Sequence, residues 1–247
     1  MTEVSDAAEE PTQHEDEAVV DAHLPAYRFG VVLGLLFATF IFMASGPTGD
    51  WVPLVVVVLQ GATLLAALAA SGAPRRLWRI AIVVVVIAFA SGVTVWISGV
   101  EGGSGTLFVL NVLLVAGAPV VIAQALVRRR VIDIQTVLGA LCIYVLLGML
   151  WAFAFAAIGA IETRPFFAEQ STGSVADFLY FSFVTLTTTG YGDLTAAGGL
   201  GRAVAVLEAL LGQLYLVTIV AVIVSRMGRV ELHSRRARKG GDGPDHE

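Results

Sequence analysis

The sequence predicts an all-α membrane protein with six spanning helices and one short helix that enters the bilayer and turns back. Three observations predict it. Of the 247 residues 57% are hydrophobic and 14% charged, and 26 glycines stand outside that 57%; soluble domains carry about 25% charged residues. Apolar runs of spanning length recur along the chain. The basic residues collect on alternate connections, as the positive-inside rule requires. This balance excludes a disordered chain, a nucleic-acid binder and nearly every soluble enzyme of this size.

The first 21 residues hold eight of the 20 acids and no Lys or Arg, so 1–25 read as a disordered acidic tail. Apolar runs follow at about 28–45, 51–70, 77–99, 107–127 and 134–160. Each is long enough, or nearly so, to cross the roughly 30 Å hydrocarbon layer. Gly46-Pro47, Gly72-Ala73-Pro74, Glu101-Gly102-Gly103 and Arg128-Arg129-Arg130 separate them. A polar stretch near 161–174 leads to a shorter apolar segment at 175–187, too short to span. A re-entrant helix is the physical alternative, provided its backbone is shielded from lipid. The last long run covers about 201–225, and 227–247 read as a basic, disordered tail. With the N-terminus inside, 13 of the 15 Lys and Arg fall on the inner face, all but Arg164 and Arg202. Both tails are then cytoplasmic. The single cysteine, Cys142, lies in an apolar run and reads as a buried thiol.

Between the last two apolar segments stands Thr185-Leu186-Thr187-Thr188-Thr189-Gly190-Tyr191-Gly192-Asp193. Its Thr-x-Gly-Tyr-Gly core, following a short apolar helix and preceding a long one, resembles the selectivity filter of potassium channels. The likeness is specific over roughly 134–226 and only topological over 28–130. It implies stacked rings of backbone carbonyls from Thr188, Thr189, Gly190 and Tyr191 that replace the water of a potassium ion, with the Thr188 hydroxyl as the innermost ring. Gly190 and Gly192 suit such a loop because they take left-handed conformations that turn successive carbonyls to one axis. Tyr191 is expected to point away from the pore and brace the loop. One chain supplies one wall, so the resemblance implies a fourfold homotetramer. Permeant potassium is the one ion it calls for, and no cofactor or nucleic acid is expected.

Thr189 stands where the family usually has Val or Ile, and its hydroxyl is free to bond behind the filter. Val175–Thr187 is the expected pore helix, with Ser174 as N-cap and Asp177 completing a capping box. Its C-terminal end, partly negative, favours a cation. The resemblance assigns Tyr180 a hydrogen bond to Asp193, and sets Thr187 beside them in support of the filter. Val184 occupies the place of a buried Glu in some relatives. Filter inactivation is therefore expected to be slow, and Val184→Glu to quicken the decay of current.

In the last span Gly212 matches the family's hinge glycine; close helix packing is the alternative. Thr218 and Val222 are candidate cavity or gate linings. Glu208, one turn above Gly212, is an expensive acid within a span. It reads either as functional or as structural, pairing with a neighbouring chain's Arg202 or bonding behind the pore helix.

The first four spans resemble a voltage-sensor domain in number only. The fourth, Leu107–Val127, contains no basic residue. Arg128, Arg129 and Arg130 are contiguous at its inner end, point in three directions, and read as an anchor rather than a charge ladder. Weak or no intrinsic voltage gating follows, and 26–130 become a four-helix scaffold beside a pore domain at 131–226. Asn111 and Gln124 in that fourth span read as packing glue. The basic cluster Arg235-Arg236-Arg238-Lys239 suits anionic lipid at the inner leaflet. The function expected is passive potassium flux across the plasma membrane. A weakly selective monovalent cation channel and a secondary cation transporter are the alternatives; an enzyme is not expected, because the spans lack convergent catalytic groups.

Overall fold

A computed structural model describes residues 28–49, 51–98, 105–128, 133–169 and 173–240. The helices are α1 Arg28–Ala44, α2 Val52–Ser71, α3 Arg75–Ser98, α4 Gly105–Arg128, α5 Ile134–Ile161, α6 Val175–Leu186 and α7 Gly199–Gly240. The acidic tail expected at 1–25, with Arg129 and Arg130, lies outside the described residues.

Five of these helices, α2, α3, α4, α5 and α7, are long and apolar enough to cross a membrane. The expected sixth, α1, has 17 described residues, the lower end of the spanning range. The chain is an all-α membrane protein with multiple apolar spans. The last helix also departs from expectation: disorder was expected from 227, but α7 continues to Gly240. Met227, Leu232 and the Arg and Lys residues beyond are good helix formers, and no proline interrupts them before Pro244.

α5 is the hub, packing against α1, α4, α6 and α7. Its start is pinned by Asp133, which with Thr136 forms a capping box. Phe29 at the head of α1 donates its N–H to Gln135 Oε1 at 3.2 Å, and the Cys142 thiol donates to the Phe29 carbonyl at 3.7 Å. Cys142 is buried and free, as expected. α1 reaches the short helix too, where Phe40 meets Phe183 edge to face. α4 carries Pro119 within its length.

The stretch near 161–174, polar on average, holds the second core. Phe166 and Phe167 are buried against Phe155, Phe178 and Phe181. The ring centroids in this cluster lie 4.9–5.9 Å apart, several of them edge to face, the arrangement aromatic quadrupoles favour. Phe167 also bridges antiparallel to Ala196. The loop before α6 is thereby tied to the loop after it.

Candidate functional site

α6 is a short helix with a strong start. Ser174 accepts from the Asp177 N–H, and Asp177 accepts from the Ser174 N–H, the capping box expected from sequence. Its far end leaves carbonyls without helical partners. The following loop uses them: the N–H of Thr188 donates to Thr185 O at 2.9 Å, and those of Thr189 and Gly190 donate to Val184 O at 2.9 and 3.3 Å. The loop amides are therefore turned back toward α6.

The backbone of the loop alternates. Thr188, Gly190 and Gly192 have φ of 57°, 57° and 80°, while Thr189 and Tyr191 are not in that region. Alternating left- and right-handed residues turn successive peptide planes the same way. Among the described residues no hydrogen bond ends on the carbonyl oxygens of Thr188, Thr189, Gly190 or Tyr191. A row of exposed carbonyl oxygens is able to take the place of water around a desolvated cation. Thr188 is the surprise, since a β-branched residue at positive φ is a genuine outlier. Such strain persists where the surroundings over-determine it. Here the Thr188 hydroxyl donates to Thr187 O at 2.7 Å and accepts from Gln213 Nε2 at 2.8 Å.

The hydroxyls behind the loop order themselves. Thr187 Oγ1 donates to Phe183 O at 2.7 Å, so its contact with Thr189 Oγ1 at 2.8 Å takes its proton from Thr189. Thr189 is thus tied to the end of α6. Tyr180 donates to Asp193 Oδ2 at 2.7 Å, the bond expected for this pair. Tyr191 lies parallel to Tyr180, centroids 6.5 Å apart and planes within 7°, yet is 72% exposed.

α7 supports the loop from the other side. Gly201, Glu208 and Gly212 are buried along one face, with Tyr215 half-buried in register. At Gly212 an added Cβ would lie 2.5 Å from Leu186 O and 2.8 Å from its Cδ1. The glycine expected as a hinge is where α7 presses on the end of α6, the packing role weighed as its alternative. Glu208 is fully buried and its Oε1 lies 2.5 Å from Ser182 Oγ on α6, one of the two kinds of partner expected for it. Arg202 donates to Ala196 O at 2.9 Å. Thr218 and Val222 are exposed on α7, and Arg128 is exposed at the end of α4. Gln213 was missed in the sequence. Its signal was an amide inside a spanning helix, next to a glycine already singled out.

Outside the helices, Glu169 clasps the far loop, accepting from Thr195 Oγ1 at 2.5 Å and from Thr195 N at 2.8 Å. The Thr195 hydroxyl, then its amide, hold this exposed carboxyl below its usual range. A depressed carboxyl pKa gives stability that is present above the unfolded value and is lost as pH falls through the folded one. Acidification is therefore expected to shift the Thr195 amide resonance, with a midpoint below that of an ordinary Glu. Glu169→Gln should abolish that titration.

A family model described as "Ion channel" matches residues 140–229, the stretch that holds most of α5, all of α6, the loop and the apolar part of α7. The chain is 35% identical over 89 residues to the inward rectifier potassium channel Kirbac3.1 of Paramagnetospirillum magnetotacticum. That stretch is 35% of this chain and 28% of the relative's length. No solved structure matches. The chain is a multi-pass membrane protein distantly related to ion channels over its second half.

Proposed function

We propose that the chain is one subunit of a homotetrameric, potassium-selective channel of the plasma membrane, with both termini cytoplasmic. The observation that carries this reading is the alternating backbone from Thr188 to Gly192, with its carbonyls left without partners. Potassium is held by Thr188, Thr189, Gly190 and Tyr191, whose oxygens replace its hydration shell.

Four chains are needed because one loop is one wall. Thr187 through Asp193 are exposed, and bare backbone is not tolerated against lipid. A recess of about 520 Å³ beside the loop, lined in part by Val184, Thr185, Gly192 and Arg202, supports a neighbouring chain packed there. So does the exposed row Val206, Leu210, Leu214 and Val217 on α7. The basic residues at the end of α7 suit anionic lipid of the inner leaflet.

The test is reconstitution into liposomes under opposed potassium and sodium gradients. A reversal potential near the potassium equilibrium value supports the reading. One midway between the two ions makes the chain a weakly selective cation channel, and no current at all overturns both. Gating by voltage is expected to be weak, because steep gating moves about three to four charges per subunit and α4 holds Arg128 alone, at its end. Arg128→Gln should leave the conductance–voltage curve in place; a clear shift would assign α4 a sensing role.

A further inference from the structure

Glu208 sits where a charge has no support. It is fully buried between α7 and α6, inside a helix of spanning length. Among the described residues no cation pairs with it. An ionised carboxylate left alone in such a place is strongly disfavoured.

The surrounding oxygens say where the protons are. Ser182 Oγ lies 2.7 Å from Gly148 O on α5 and 2.5 Å from Glu208 Oε1. A hydroxyl owns one proton, and a backbone carbonyl can only accept. If the Ser182 proton pointed at Glu208, two lone-pair oxygens would face each other across 2.7 Å toward Gly148. The proton therefore goes to Gly148, and the Glu208 contact needs a second one. Only the carboxyl can supply it. The other carboxyl oxygen, Glu208 Oε2, is buried without a partner among the described residues, a setting that disfavours an ionised carboxylate.

We propose that Glu208 is a neutral carboxylic acid whose O–H donates to Ser182, which donates to Gly148, so that one hydrogen-bond chain joins α7, α6 and α5 behind the loop. Glu208 is a positioning residue: it touches no ion and acts through α6. Ser182 lies two and three residues before Val184 and Thr185, whose carbonyls hold the loop amides. Gly212, one turn along α7 from Glu208, bears on Leu186. The tie and the contact together set where α6 ends, and so where the loop begins. The functional half of this proposal rests on the channel reading; the protonation half does not.

Infrared difference spectra of the full chain in bilayers at neutral pH test the protonation. Wild type minus Glu208→Gln should carry the carbonyl stretch of a protonated carboxyl, and Ser182→Ala should move that band to higher frequency by removing its acceptor. Carboxylate bands in its place would overturn the proposal, whatever the channel does. Permeability ratios test the positioning. Glu208→Gln keeps a donor, its amide N–H, and should hold the potassium-to-sodium ratio within about twofold; Glu208→Leu has the bulk without the donor and should lower it about tenfold, as loss of one buried hydrogen bond does. Equal ratios in the two variants would remove the positioning role. If Leu does not assemble, the wild-type band and the Gln ratio still decide. A protonated band in a chain that passes no potassium upholds the neutral acid and overturns the channel reading instead.

Discussion

Gly190→Ala is expected to abolish selective potassium flux while leaving the helices folded. Space is not the obstacle, since an added Cβ at Gly190 meets nothing within 4 Å. The backbone is: φ is 57° there, and an L-residue in the left-handed region costs about 1–2 kcal/mol. In the proposed tetramer that strain enters at four chains around one axis. The cheapest relief is a flip of the Thr189–Gly190 or Gly190–Tyr191 peptide, which turns a carbonyl away from the ions and points an N–H at them. Reversal potentials should lose their dependence on the potassium gradient, and circular dichroism should stay that of wild type. D-alanine at 190 prefers positive φ and should restore selectivity. If L-alanine supports full selectivity, the alternating backbone is not what selects the ion.

Gly212→Ala is expected to weaken the whole assembly. Its Cβ would stand 2.5 Å from Leu186 O, and a backbone oxygen at a helix end cannot swing aside as a side-chain tip does. α7 must back away from α6, and forced overpacking of this kind costs roughly 1–3 kcal/mol per site. The loss should show as a lower melting temperature of the detergent-solubilised protein and a smaller tetramer fraction on gels. This outcome separates the two readings of Gly212. A hinge alone would change the open probability and leave the melting temperature unchanged. A packing glycine lowers the melting temperature whether or not the channel opens.

The membrane class was legible because it is carried by composition along the chain. Long apolar runs and a one-sided distribution of Arg are local properties, and most of the spans fall where those runs do. The capping box at Ser174 and Asp177 was legible for a similar reason, being a contact between residues three apart. Tyr180 and Asp193 could be paired only through the resemblance to potassium channels, since 13 residues separate them.

Averages hid other features. The stretch at 161–174 is polar overall, so Phe166 and Phe167 did not register as a core, yet they plug the space between α5 and α6. The end of α7 looked like a disordered tail because it is charged. Charge removes a reason to be buried, but it does not remove helix propensity, and α7 runs on to Gly240.

By itself the sequence determined that this is a membrane protein and that one loop carries Thr-x-Gly-Tyr-Gly after a short helix. Those facts live in single residues and their near neighbours. The tertiary structure alone decided which helices press on that loop. It placed Gly212 against Leu186, Gln213 on the hydroxyl of Thr188, Glu208 beside Ser182, and Ser182 on the carbonyl of Gly148. These partners lie 25, 26 and 34 residues apart. No periodicity links them, because side chains on different helices meet only once the helices have packed.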